Sequence, residues 1–185
     1  MILLTIGKKG AGKSTALRRL VYRRLLESPR STVFWVDTGC QVKGGALFES
    51  IATARAHFAS AGVPRLCIYR GCDVEDVAAL ALELHDVTLV VDELDRACSG
   101  KTWRAPSVRR IVHEGRHERV DLWGSFRSTR NVHEDLVGQC DAALLFRQTE
   151  AGYYDLQTLK LRFGPAMAEA VQRLEPMHFV MWADD

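Results

Sequence analysis

The 185-residue chain lacks most of the features that would take it out of the ordinary globular class. No apolar run approaches the length of a membrane span, so a protein that is not itself transmembrane is expected. The apolar opening, residues 1–6, is too short for the hydrophobic part of a secretory signal. The five cysteines, Cys40, Cys67, Cys72, Cys98 and Cys140, form no C-x-x-C pair and are odd in number. A disulfide framework is therefore not expected, and reduced thiols in a cytosolic compartment are. A formal net charge of +2 is too small to mark a nucleic-acid binder by bulk charge. Arginine far outnumbers lysine, which suits bidentate phosphate contacts but also follows from a GC-rich genome or a thermophilic source. Repeats, low-complexity tracts and linkers are also missing, so residues 1–185 read as a single domain. What remains, 47% apolar and 26% charged residues, is enough for one real core.

The chemistry starts at the first residues. Ile2–Ile6 is an apolar run of the kind that forms a buried parallel strand. Gly7-Lys8-Lys9-Gly10-Ala11-Gly12-Lys13-Ser14 then fits G-x-x-x-x-G-K-[ST] at every fixed position, with Thr15 opening an amphipathic helix over 15–27. Backbone amides must curl around a phosphate chain, and glycines remove the Cβ atoms that would block the curl. Lys13 is positioned to reach the β- and γ-phosphates of a nucleoside triphosphate, Ser14 to ligate Mg²⁺, and the helix N-terminus to favour the anion. Strand before and helix after make a chance glycine turn a poor alternative.

Further along, Thr32–Val36 reads as a strand, 47–61 as an Ala-rich helix, 65–69 as a short strand and 73–85 as a helix capped by Asp73. Val87-Thr88-Leu89-Val90-Val91 is a buried strand running into Asp92-Glu93. Residues 94–106 read as a long polar loop, 107–117 as a basic helix, 120–125 as a strand and 131–137 as a short helix. A strand at 142–146, helices over 151–161 and 165–174 and a last strand at 178–182 complete the chain. Strands alternating with helices predict an α/β fold with a mostly parallel central sheet and helices on both faces.

An apolar strand ending in Asp-Glu is what a phosphate loop needs beside it. Asp92 would hold Mg²⁺ and Glu93 would take a proton from attacking water, which favours hydrolysis over transfer to an acceptor hydroxyl. The strand at 120–125 ends in Phe126-Arg127-Ser128-Thr129-Arg130. Strand carboxyl ends line the ligand crevice in parallel sheets, so Arg127 lies near the γ-phosphate if that strand neighbours the first. His113-Glu114-Gly115-Arg116-His117 spells H-E-x-x-H, a zinc-protease pattern. Gly115 weakens the helix there and no third ligand is apparent, so zinc is not expected. The loop at 99–104 carries Lys101 and Arg104 around Trp103 just after the acidic strand. It is a candidate DNA contact, or a surface loop whose Trp103 packs back on the core.

Taken together, GKKGAGKS, VTLVVDE, the segment EGRHERVDLWGSFRSTRNVHEDL and the segment QCDAALLFRQTE resemble the FtsK/HerA superfamily of DNA-pumping P-loop ATPases. The resemblance is greatest to the genome-packaging ATPases of membrane-containing icosahedral phages and viruses. It implies a RecA-like P-loop NTPase fold of the ASCE type, ATP and Mg²⁺ as cofactors, and a homo-oligomeric ring, hexamer or pentamer, acting on double-stranded DNA. It also implies capsid-vertex or membrane proteins of the virion as partners and a place in the host cytoplasm or on the virion. Arg116 matches the arginine that completes a neighbouring subunit's site. Arg127 stands where the family usually has a sensor glutamine, a departure from its pattern; the alternative to water positioning by an amide is a direct arginine contact with the γ-phosphate. The length leaves no room for the accessory domains of the large members. Two other readings use the same loop: a filamentous-phage assembly ATPase of the zonula-occludens-toxin type, and a P-loop small-molecule kinase. A non-hydrolysing nucleotide switch is a further one, separable because it binds without turnover.

Overall fold

The computed structural model describes residues 1–99, 101–147 and 153–184. Strand β1 (Ile2–Ile6) passes through the glycine turn into α1 (Lys13–Glu27) and then β2 (Thr32–Val36). The first half continues with β3 (Ala46–Phe48), α2 (Ile51–Ala61), β4 (Leu66–Tyr69), α3 (Val74–Leu84) and β5 (Val87–Val91). A small hairpin, β6 (Cys98–Ser99) and β7 (Thr102–Trp103), leads to α4 (Pro106–Glu118) and β8 (Val120–Phe126). The remaining elements are α5 (Glu134–Gly138), β9 (Ala142–Phe146), α6 (Tyr153–Phe163), α7 (Pro165–Gln172) and β10 (Phe179–Ala183).

Eight strands form one sheet in the order β10-β9-β1-β8-β5-β2-β4-β3. Every neighbouring pair is parallel except β10 with β9. This is the α/β architecture expected. The decisive detail is that β8 stands between β1 and β5. Its register sets Phe126 opposite Ile6 and Gly124 opposite Val91, so the ends of all three strands reach the same sheet edge.

Side-chain alternation along the strands splits the core into two faces. Ile2, Leu4 and Ile6 pack with Phe34, Leu89, Leu122 and the inner faces of α3 and α4. Leu3 turns to the other side, where Leu17 and Val21 of α1 lie against Trp35, Val90 and Trp123. Leu17 and Val21 are fully buried, each contributing about 1.5–3 kcal/mol. They pin α1 so that its first turn overhangs the edge where β1 ends.

Three sequence expectations are corrected. Residues 47–61 do not form one helix: β3 occupies Ala46–Phe48 and pairs with β4. The helix begins only after Ser50, whose Oγ accepts the Thr53 amide at 3.2 Å. Residues 94–106 are not one long polar loop. Leu94, Ala97, Cys98 and Ala105 are buried, in a 3-10 turn (Leu94–Arg96) and the β6–β7 hairpin. The helix expected from 131 begins at Glu134, after a separate 3-10 turn (Thr129–Asn131). Gly100, residues 148–150 of the family-like segment, and Ala151 and Gly152 at the start of the expected 151–161 helix lie outside the described residues.

Gly115 and Gly124 are required by close approach. A Cβ on Gly115 would meet the Val120 carbonyl oxygen at 2.6 Å, which explains the glycine inside the H-E-x-x-H pattern. A Cβ on Gly124 would meet Leu94 Cδ2 at 2.5 Å and its Cβ at 3.2 Å. Leu94 opens the turn that follows Asp92 and Glu93, so β8 can approach β5 closely only without a side chain there. Gly124→Ala is expected to destabilise the fold by about 1–3 kcal/mol through overpacking, measured as a lowered midpoint of chemical denaturation.

Candidate active site

At the carboxyl edge of the sheet the chain builds a cavity of about 370 Å³. Its walls include Lys9, Gly10 and 12–15 from the glycine turn and α1, Asp92 and Glu93 after β5, and Ser125 and Arg127 from β8. Gly7 sits beneath, its amide donating to the Phe126 carbonyl at 3.1 Å. A Cβ on Gly7 would strike Phe146 Cβ at 2.6 Å, and one on Gly12 would meet Met177 Cε at 3.1 Å. Gly12, at φ 102°, precedes α1 without any side-chain cap. The first amides of α1 are thus left to an anion, with no acidic residue in the first turn to compete.

Lys13 is buried and its Nζ donates to the carbonyls of Gly7 at 2.7 Å and Lys8 at 2.9 Å. Burial lowers its pKa, and the charges of Asp92 and Asp95 oppose that shift. Lys8 and Ala11 shape the turn, the Ala11 amide bonding the Lys8 carbonyl at 3.2 Å.

The Asp92 carboxylate is only 8% exposed and would be costly to bury without partners. Ser14 Oγ donates to it at 3.0 and 3.2 Å, and Ser125 Oγ at 2.8 Å. Ser125 Oγ in turn accepts the Glu93 amide at 3.0 Å. A hydroxyl and a carboxylate converging beside an anion-ready helix start form a hard-oxygen donor set that fits Mg²⁺, which keeps several waters and takes few protein ligands. Ser14 and Asp92 are the residues that would hold it.

Glu93 has a left-handed backbone, φ 67°, uncommon for a residue with a side chain. Its carboxylate lies at the cavity wall between two guanidinium groups. Arg127 binds Oε1, and Arg96 Nη2 donates to Oε2 at 3.1 Å. Burial raises the Glu93 pKa, but the hydrogen bond and charge of Arg127, with Arg96, outweigh it and hold the group below the usual carboxylate range.

Arg116 does not join this group. It lies near the end of α4, just before β8 begins, 80% exposed and paired with Asp141 at 2.7 Å. That is the amino edge of the sheet, separated from the cavity by the length of the strands, about 16 Å for five residues. Arg116 also lines a larger cavity of about 870 Å³ with Arg24, Arg30 and Arg119. Lys101 and Arg104 are exposed. Trp103 is half-buried: its Nε1 donates to Asp135 at 3.1 Å and its ring lies 4.6 Å from that of His133. It anchors the hairpin. His113 of the H-E-x-x-H pattern turns to the same Asp135, at 3.3 Å.

Sequence reasoning missed five residues here: Ser125, Thr38, Gly39, Gln41 and Met177. Thr38 donates to the Asp92 carbonyl at 3.4 Å, and all five line the cavity. A polar residue ending an apolar strand was a usable signal for Ser125; Met177 carried none.

A glycine turn holding a buried lysine, a Ser–Asp pair beside it and an inserted strand between define the P-loop NTPase fold, as comparison with solved structures bears out. The genome packaging NTPase B204 from Sulfolobus turreted icosahedral virus 2, in complex with ATP-gammaS, superposes with a TM-score of 0.82 at 18% identity over 98% of this chain and 91% of that one. VirB4 of Thermoanaerobacter pseudethanolicus gives 0.67 at 12% identity, covering 98% and 86%. The N-terminal domain of zonular occludens toxin from Neisseria meningitidis gives 0.51 at 13% identity, covering 82% and 78%. No protein-family model and no curated protein matches the sequence.

Ser125 holds Asp92 in place and ties it to the Glu93 amide. Ser125→Ala is therefore expected to lower Mg²⁺ affinity or turnover by about 10- to 100-fold, the usual effect of losing an outer partner of a metal ligand. Titrating Mg²⁺ against ATP hydrolysis checks it; an unchanged Mg²⁺ dependence and rate would leave Ser125 with no role in the site.

Proposed function

We propose that the chain is a Mg²⁺-dependent ATPase that works as a homo-oligomeric ring and drives double-stranded DNA into a viral capsid. The observation that carries this reading is the convergence of Lys13, Ser14, Asp92, Glu93 and Arg127 on one cavity. Near-complete superposition on a protein described as a genome packaging NTPase supports the narrower assignment. Under this reading the ring is a hexamer or pentamer, its partners are DNA and virion vertex or membrane proteins, and it acts in the host cytoplasm or on the virion. Among the described residues no helix is long and apolar enough to cross a membrane.

The loop amides of 10–15 and Lys13 bind the β- and γ-phosphates. Ser14 and Asp92 would hold Mg²⁺, whose charge would offset that of the phosphates. Glu93 accepts a proton from water as the water oxygen bonds to the γ-phosphorus and the bond to the β,γ-bridging oxygen breaks, leaving ADP and phosphate. Arg127, next to Glu93, takes charge developing on the γ-phosphoryl oxygens, the work an amide sensor cannot do here. Arg116 acts from the neighbouring subunit, for which its exposed place at the opposite sheet edge is suited. Lys101 and Arg104 hold DNA phosphates, with Trp103 anchoring the hairpin that carries them. Glu93 at the cavity wall favours hydrolysis over the kinase reading.

Glu93→Gln is expected to keep ATP binding and lose at least ~10²-fold in turnover, the scale of a lost general base, and Arg116→Ala to be inactive alone. Mixed rings of the two variants should regain part of the activity, because a subunit lacking only Glu93 still offers Arg116 to its neighbour's intact site. No recovery in proven co-assemblies would remove Arg116 from a role across the interface.

DNA contact is read separately. Lys101→Ala with Arg104→Ala should lower the slope of log affinity against log salt by about 0.9 for each lost phosphate contact. An unchanged slope would put the DNA surface elsewhere, most plainly on α4 around Arg109 and Arg110.

A further inference from the structure

Among the described residues that line the 370 Å³ cavity, Met177 is the one apolar side chain; the others are glycine, hydroxyl, amide or charged. It arrives there in an unfavourable backbone. Glu175, Pro176, Met177 and His178 form a β-turn closed by the His178 amide on the Glu175 carbonyl at 3.2 Å. Nδ1 of His178 lies 3.2 Å from the Pro176 carbonyl and steadies the turn. Pro176 takes its second position and Met177, at φ 68°, its third. Glycine is the usual residue where a turn has a left-handed third position after proline. A left-handed backbone is costly for a residue with a side chain, and Met177 does not recover that cost by burial, being 56% exposed.

Strand order gives the cavity two ends. β1 has β8 and β5 on one side, β9 and β10 on the other. Asp92, Glu93, Ser125 and Arg127 all come from the β8–β5 side, so the terminal phosphate belongs there. Thr38, Gly39 and Gln41 follow β2, beyond the acids. A triphosphate whose last phosphate meets Glu93 therefore directs its nucleoside the other way, over Gly12 toward β9 and β10. Met177 closes that end. Its Cε and Sδ come within 3.1 and 3.2 Å of the point a Gly12 Cβ would occupy, and Phe146 Cε1 within 3.4 Å of the same point. Phe179, two residues further on, sets its ring 5.3 Å from that of Phe146 and extends the apolar wall.

We propose that Met177 is the platform for the nucleobase, its thioether packing on the face of the ring. A thioether is polarizable and gains from contact with an aromatic ring, but it has no strong donor or acceptor with which to read the ring's edge. The side chains lining this end besides Met177 are those of Lys9 and glycines, with no carboxylate or amide. The base is thus held by its face and its hydrogen-bonding pattern goes unread, so adenine and guanine nucleotides serve alike. The inference rests on the proposed ATPase reading of the cavity and adds to it the class of substrate accepted.

The test uses the full chain with Mg²⁺ and measures kcat and KM for ATP and GTP, together with inhibition by inorganic tripolyphosphate, which has the phosphates and no base. Met177→Gly removes the side chain and relieves the left-handed backbone, so it should fold about as stably as wild type, read as the denaturation midpoint. It is expected to raise KM for both nucleotides by about two- to tenfold, the range of a sulfur–aromatic contact, and to change kcat less. Inhibition by tripolyphosphate should stay at the wild-type level. Met177→Leu, apolar and close in volume, should remain within about twofold of wild type. Unchanged KM values in Met177→Gly overturn the inference. So does an equal weakening of tripolyphosphate inhibition, which would place the effect on the phosphate loop. A wild-type preference between ATP and GTP above about 10²-fold, more than an apolar contact supports, overturns it as well. Each of those results leaves the ATPase reading standing. Wild type that hydrolyses neither nucleotide overturns that reading and the inference with it.

Discussion

Much of this architecture depends on one buried carboxylate. Asp92 ends β5, yet its partners come from elsewhere: Ser14 from the first turn of α1 and Ser125 from β8. A carboxylate this deep is costly to bury unless its oxygens are hydrogen-bonded, so the three segments must meet within hydrogen-bonding reach of one another. That requirement explains features far from Asp92. Leu17 and Val21 must hold α1 down on the sheet, and β8 must lie between β1 and β5. Gly124 must lack a side chain so that Leu94 can close against it. Ser125 does two things at once, donating to Asp92 and receiving the Glu93 amide, so both adjacent acids are set by one hydroxyl.

Glu93 is the counterpoint. Asp92 is fixed by neutral hydroxyls, whereas Glu93 is fixed by charges at its cavity wall and by a left-handed backbone. The backbone aims the side chain, and the arginines set how basic it is. Holding a carboxylate between two guanidiniums keeps it ionised, at the cost of weakening it as a proton acceptor.

The glycine turn, the acid pair and the alternation of strands with helices were legible in the sequence because each is written in contiguous residues. A phosphate loop is eight neighbours, and a buried strand is five apolar ones. Strand order is not local: that β8 sits beside β1 follows from a crossover packing that no window of residues reports, and the contact of Ser125 with Asp92 follows from that order. The β6–β7 hairpin hid for a similar reason. Polar residues at 99–102 mask the burial of Leu94, Ala97 and Cys98, and Leu94 packs against Gly124 of β8, far away in sequence. β3 was lost because Ala46–Phe48 is too short to display a period. Met177 reaches the cavity only because β10 runs back antiparallel to β9 and brings the preceding turn over Gly12.

The position of Arg116 turns a question of chemistry into one of assembly. It stands at the amino edge of the sheet and the acid pair at the carboxyl edge, and no rearrangement of a rotamer spans five strand residues. Within one subunit the two cannot meet. A contact that joins the amino edge of one copy to the carboxyl edge of the next is head-to-tail, and such contacts close into rings when the rotation per subunit divides a full turn. Ring formation under the proposed reading is thus a consequence of where α4 ends, because each site needs the opposite face of a second copy. The same geometry makes the ion pair with Asp141 meaningful. It holds Arg116 at the rim without burying it, so a neighbour's phosphate has only an exposed pair to displace, which contributes little on its own.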